Sequence, residues 1–258
     1  MNGIALKRIG ARGGPPLVLL YGFGGTMATW DAVVPLVGTK IDIVLADLPG
    51  HGDSLHADGR GGAGRMAKAL LAALSAAGIE RFHLAGHSMG GAVAMLMALR
   101  EPPRVLSLSL VAPGGMAPEI DATLLGEFAG ARTPEAVHAV LKRMVAPAYA
   151  WDDAAIAAVA ASRDRPGAVE ALTETYVAMF PDGPERGQGT LPRGELEKLT
   201  MPVGLLWGDA DTVLPHPRPD GVPANFRLTT IAGAGHMLPE EVPQAVADLI
   251  SQTAGLPA

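Results

Sequence analysis

The chain has 258 residues, 48% of them hydrophobic, with 20 Lys and Arg against 26 Asp and Glu for a formal net charge of -6. That is material for one large α/β domain with an inserted subdomain, and it leaves no basic footprint for nucleic acid or an anionic membrane. Cysteine is absent, which excludes disulfides, thiolate catalysis and cysteine-based zinc sites and suits a reducing compartment.

The amino terminus, Met1 to Arg8, lacks the apolar stretch of a secretory signal, and the Ala-rich run from Met66 to Ile79 is too short for a spanning helix and carries Lys68. A cytoplasmic protein is expected. Short apolar runs then alternate with helical patterns, as in a sheet buried on both faces. The runs are Leu17–Leu20, Ile43–Ala46, Phe82–Ala85, Val105–Val111, Val203–Trp207 and Leu228–Ile231. Helices are predicted at about Thr29–Val37, Met66–Ala77, Met89–Arg100 and Pro239–Gln252, with a mobile Gly-rich loop at Ala57–Gly64. From Gly115 to Lys198 the alternation stops. Ala122–Phe128, Pro134–Val145, Asp152–Ser162 and Pro166–Phe180 read as helices with no strand among them. This predicts a helical cap at 115–198 over a core formed by 1–114 and 199–258.

Phe82 to Gly91 runs a strand into Gly86-His87-Ser88-Met89-Gly90 and straight on into a helix. A sharp strand-to-helix turn exposes the hydroxyl of a nucleophilic serine, and glycines on either side remove side chains that would clash there. The helix amino terminus behind Ser88 adds N–H groups and a positive dipole end, which favour developing negative charge. His87 reads as structural, its side chain directed away from that of Ser88. After the first strong strand, Gly22-Phe23-Gly24-Gly25 turns the backbone toward the same sheet edge. The Phe23 N–H would then pair with that of Met89 as an oxyanion hole, each donor being worth about 3 kcal/mol. A dinucleotide-binding loop fits less well, because Met27 stands where its third glycine belongs.

Of seven histidines, His236 lies in a Gly-rich loop just past the last strand, from which a general base can reach Ser88; His51 is the second choice. The carboxylate that orients the base follows the preceding strand, in Trp207-Gly208-Asp209-Ala210-Asp211. Asp211 is favoured and Asp209 is the alternative that caps the turn.

Together these segments, with Asp47-Leu48-Pro49-Gly50-His51-Gly52-Asp53-Ser54, resemble the α/β-hydrolase superfamily over nearly the whole chain. Within it the chain is similar to the hydrolase-like domain of acetoin-dehydrogenase acetyltransferase components. Those carry an additional lipoyl domain, for which this chain has no room, so no lipoyl role is expected. Tyr21 stands where the family usually has His, which alters how the oxyanion loop is braced. The resemblance implies an α/β fold with a mostly parallel eight-stranded sheet and a helical cap after the sixth strand. Ser88 also separates the chain from relatives that use Asp as nucleophile to open epoxides or cleave carbon–halogen bonds.

The implied reaction is acyl transfer to water on a small, uncharged substrate, with no metal or organic cofactor and no nucleic-acid or membrane partner. Phe23, Met89 and Met237 would wall the pocket with residues of the cap, among them Met116, Phe128, Trp151, Met179 and Phe180. A carboxylic ester hydrolase is the first reading. A carbon–carbon bond hydrolase of ring-cleavage dienoates is the second; it would need an arginine in the pocket, for which Arg163 and Arg165 are available, though both read as solvated. A non-catalytic hydrolase-fold binding protein is the third.

Overall fold

A computed structural model describes residues 3–38 and 41–256; Met1 and Asn2, which open the amino-terminal stretch read above, lie outside them. Among the described residues seven strands form one sheet: β1 Leu6–Ile9, β2 Leu17–Leu20, β3 Ile43–Ala46, β4 Phe82–His87, β5 Val105–Val111, β6 Val203–Gly208 and β7 Phe226–Ile231. Their spatial order is β1-β3-β2-β4-β5-β6-β7. β1 runs antiparallel to β3 and every other pairing is parallel. β2, β3 and β6 are buried along their whole length, which is why they read as unbroken apolar runs.

The helices are α1 Val34–Val37, α2 Ala63–Ala76, α3 Met89–Arg100, α4 Ala122–Gly130, α5 Pro134–Met144, α6 Asp153–Ser162, α7 Ala168–Met179, α8 Arg193–Leu196, α9 Leu238–Glu241 and α10 Pro243–Ala254. α3 packs on β4 and β5 with α2 and α8 beside it, and α10 packs on β5 and β6 with α1 beside it. α4 to α7 fall between β5 and β6 with no strand among them. Asp121, Thr133 and Asp152 cap α4, α5 and α6 by accepting a hydrogen bond from a first-turn N–H. Among the described residues no helix is long and apolar enough to cross a membrane.

Four expectations are corrected. The sheet has seven strands among the described residues, not eight, and the helical insertion follows the fifth of them. The amino-terminal part supplies a single antiparallel strand, and the seven residues from Gly10 to Pro16 that lead into β2 are rich in Gly and Pro and form no second one. The helix predicted at Thr29–Val37 is a 3₁₀ turn, Met27–Trp30, followed after a turn by α1. The one predicted at Pro239–Gln252 breaks at Val242, because Pro243 disfavours helical geometry in the residue before it and Val242 sits at φ −139°, ψ 56°.

At the centre of the sheet the chain turns from β4 into α3 with almost no clearance. A Cβ on Gly90 would lie 2.4 Å from the Tyr21 carbonyl oxygen and 2.5 Å from that of Leu20, and one on Gly86 would lie 2.5 Å from the Gly90 carbonyl oxygen. All of these neighbours are backbone and cannot swing aside. Gly90→Ala is therefore expected to destabilise the fold by about 1–3 kcal/mol, measured by urea denaturation; an unchanged midpoint would contradict this packing.

Candidate active site

Ser88 sits at the tip of that turn with φ 53° and ψ −121°, a left-handed conformation that non-glycine residues rarely adopt. Hydrogen bonds hold it there: its N–H donates to the Val111 carbonyl at 3.0 Å, and its own carbonyl accepts from Gly91 at 2.9 Å and Gly114 at 2.9 Å. Gly22 allows the neighbouring loop to approach, since a Cβ on it would come 3.0 Å from the Ser88 Cβ and 3.2 Å from His87 Nδ1.

His236 reaches Ser88 from the loop after β7. Its Nε2 lies 3.0 Å from Ser88 Oγ and its Nδ1 lies 2.8 Å from Asp211 Oδ2. The two side chains are almost wholly removed from solvent, 4% exposed for His236 and 0% for Asp211. The other Asp211 oxygen accepts from the Val213 and Leu214 N–H groups at 2.8 and 2.9 Å. This carboxylate is therefore fixed by its own turn. Asp209 faces elsewhere and accepts from the Gly233 N–H at 2.6 Å, so it ties the β6 turn to the β7 turn.

Met89 is the first residue of α3, and N–H groups in a helix's first turn have no partner within the helix. Phe23 borders the same cavity as Ser88 and His236. Its turn is braced by Tyr21 and by residues of the loop after β3. Gly24 N–H donates to His51 Nε2 at 3.1 Å, while His51 Nδ1 lies 3.4 Å from the Pro49 carbonyl. The Tyr21 hydroxyl donates to Asp47 Oδ1 at 2.9 Å and accepts from the Leu48 N–H at 3.2 Å. Tyr21 thus joins the loop after β2 to the loop after β3 through a buried phenol. His51, the alternative base, supports this loop rather than touching Ser88.

His87 does not point away from the site. Its ring lies 5.0 Å from that of His236, and its Nε2 is 3.0 Å from the His236 carbonyl oxygen, a bond that its N–H donates. Burial, with the adjoining His236, pushes its pKa down to about 3, so the ring stays neutral beside the site. The His236 loop is anchored further by Glu241, whose carboxylate accepts from the N–H groups of Gly235 at 2.9 Å, Met237 at 3.0 Å and Ala146 at 2.8 Å. The His236 N–H donates to the Met144 carbonyl at 2.8 Å. The end of α5 and the His236 loop are therefore one hydrogen-bonded unit. Glu241 belongs to Pro239-Glu240-Glu241, an acidic first turn visible in the sequence just after the Gly-rich loop, where free N–H groups lie within reach.

The cavity beside Ser88 holds about 130 Å³ and is bordered by Phe23, Phe128, Trp151 and Met237, as well as by Leu125, Leu141, Met144, Val159 and Glu240. Met89, Met116, Met179 and Phe180 do not border it, contrary to the pocket wall expected from sequence. Met116 lines a separate groove beside Trp207, Met89 and Met179 line a second cavity that Ser88 also borders, and Phe180 is buried against Tyr176. Arg163 is buried, not solvated. It lies over the Phe128 ring and donates to the Phe128 and Val159 carbonyls at 3.1 and 3.4 Å. Arg165 is exposed and holds the Gly52 carbonyl and Asp53. Neither arginine borders the cavity.

An α/β sheet with a strained serine at its central strand-to-helix turn, and a histidine and an aspartate at the same edge, defines a hydrolase-fold protein. The model described as alpha/beta hydrolase fold matches residues 15–243, and the chain belongs to that family. It is 31% identical over 240 residues to the dihydrolipoyllysine-residue acetyltransferase component of the acetoin cleaving system of Pseudomonas putida; the match covers 92% of this chain but only 63% of that relative. A membrane phospholipase A described as a bacterial virulence factor is 27% identical, with a TM-score of 0.79 and 98% of this chain and 82% of that one covered. A meta-cleavage product hydrolase from Pseudomonas fluorescens shares the fold with a TM-score of 0.82 at 19% identity, covering 98% and 94%.

Burial, together with the Arg163 charge, lowers the His51 pKa to about 4. A group depressed in the fold stabilises it fully above its unfolded pKa, near 6.5, and loses that contribution as pH falls through the folded value. The stability advantage of wild type over His51→Gln is therefore expected to shrink by about 1.4 kcal/mol per pH unit between pH 6.5 and 4. Urea denaturation across that window measures it, and a difference independent of pH would contradict the neutral-imidazole brace.

Proposed function

We propose that this protein is a serine hydrolase that cleaves a carboxylic ester of a small, uncharged acyl substrate, and that it works in the cytoplasm, a compartment that suits a cysteine-free chain. The observation that carries the reading is the continuous hydrogen-bonded line Ser88 Oγ, His236 Nε2, His236 Nδ1 and Asp211 Oδ2. His236 takes the Ser88 proton as Oγ attacks the ester carbonyl, and Asp211 holds the tautomer and stabilises the imidazolium. The N–H groups of Phe23 and Met89 receive the oxyanion. His236 then protonates the departing alcohol, and a water activated by the same imidazole releases the acid from Ser88.

Residues 115–198 act as a cap over a core of 1–114 and 199–258, with Phe128 and Trp151 of the cap and Met237 of the core touching the substrate. The names of the relatives, an acetyltransferase component and a phospholipase A, both fall within acyl-transfer chemistry. The carbon–carbon bond reading gains less support, because no Lys or Arg is among the described residues bordering the cavity and a dienoate carboxylate would have no cationic partner there.

Wild type should be labelled by a fluorophosphonate probe and should hydrolyse short aryl esters, and Ser88→Ala should lose both properties. Undiminished labelling of Ser88→Ala would overturn the assignment. Asp211→Asn keeps an oxygen for the turn but favours the wrong imidazole tautomer, so kcat should fall by about 10,000-fold with the fold intact by circular dichroism. A loss of less than tenfold would remove Asp211 from the proton relay.

A further inference from the structure

The cavity wall is apolar apart from the reaction centre and a few groups; besides His87, whose Nδ1 is unpartnered next to the reaction centre, two of those groups are unaccounted for. Glu240, on α9 directly after the His236 loop, and Trp151, just before α6, both border the cavity that holds Ser88 and His236. Glu240 Oε2 and Trp151 Nε1 are each buried, and neither has a hydrogen-bond partner in the protein. Polar atoms taken out of water without a partner are costly and rare, so two of them beside one ligand cavity point to a partner that arrives with the ligand. The neighbouring carboxylate shows the contrast: Glu241 uses both of its oxygens on three backbone N–H groups.

We propose that Glu240 and Trp151 form a polar recognition point that selects substrates bearing a second, uncharged oxygen acceptor, such as a ketone, in an otherwise hydrocarbon chain. This deepens the ester-hydrolase reading and rests on it for the identity of the scissile bond. The indole N–H is a donor only. Burial, with Glu241 beside it, pushes the Glu240 carboxyl up to about 8, so at neutral pH it carries a proton and also donates. Two donors fit an acceptor oxygen. A cationic ammonium group would leave the indole N–H unsatisfied, and a carboxylate would bring a charge into an apolar cavity with no counter-ion. A site built to hydrogen-bond an oxygen rejects the analogue that lacks it, because the buried donors are then left unpaired.

The test is binding to Ser88→Ala protein, which retains the cavity but does not turn substrate over. Ethyl hexanoate, its 3-, 4- and 5-oxo counterparts and an ethyl trimethylammonio-hexanoate are titrated by calorimetry. At least one oxo ester should bind about tenfold more tightly than ethyl hexanoate. Adding Glu240→Leu should reduce that ratio to less than twofold, while Glu240→Gln, which keeps an N–H donor, should preserve most of it. Because each ratio is taken within one protein, a general weakening of binding divides out. If Leu at 240 prevents folding, Trp151→Phe removes the other donor and should lower the ratio several-fold.

Equal binding of all the esters, no measurable binding of any, tighter binding of the ammonium ester, or a preference that survives Glu240→Leu would each overturn the proposal. Selective binding of an oxo ester to the Ser88→Ala protein, without turnover by wild type, would sink the ester-hydrolase reading and leave this recognition point standing.

Discussion

The site depends on one imidazole held from both sides. His236 can lie between Ser88 and Asp211 only if loops from the ends of β4, β6 and β7 arrive at one edge of the sheet in register. Parallel pairing of these strands with their neighbours brings all three ends to the same side. Each of the three groups then has a local anchor. Ser88 is pinned by β5 and by the start of α3, Asp211 by the N–H groups of Val213 and Leu214, and the His236 loop by Glu241. Fixing the groups before substrate arrives is what allows such dipoles to act on a developing charge without reorganising.

Around that line, burial keeps other titratable groups uncharged. His87 and His51 are both held far below the ordinary histidine range, so neither competes for the proton that Ser88 would surrender. Each serves as a neutral hydrogen-bonding brace, His87 to the His236 backbone and His51 to the loop that carries Phe23. Arg163 is the exception, a buried cation that pairs with no carboxylate among the described residues. Its charge is met by carbonyls near the carboxyl ends of α4 and α6 and by the Phe128 ring, where the negative ends of helix dipoles and a π face both favour a cation.

Much of this was legible in the sequence, and the failures have physical causes. β2, β3 and β6 announced themselves by unbroken apolar runs and β4, β5 and β7 by apolar stretches between helical patterns; β1 did not, because Lys7 and Arg8 give it the look of a polar edge. The Gly-x-Ser-x-Gly turn and the Gly-rich loop around His236 were readable because their spacing reflects local backbone demands. The contacts that brace them were not, because Tyr21 meets Asp47 and Glu241 meets Ala146 across long stretches of chain. Pocket residues were the least readable. Met116, Met179 and Phe180 are as apolar as Phe128, and only tertiary packing decides which of them borders the cavity that holds both Ser88 and His236.

The central claim is that the hydroxyl of Ser88 becomes covalently acylated during turnover. The most direct measurement is rapid quenching of the wild-type protein with p-nitrophenyl butyrate, followed by tryptic digestion and mass spectrometry of the peptide Phe82–Arg100. The account predicts that this peptide gains the mass of one butyryl group, located on Ser88 by fragmentation, early in the reaction. Ester turnover with the acyl group on another residue, or with no acylated peptide at any quench time, would contradict it.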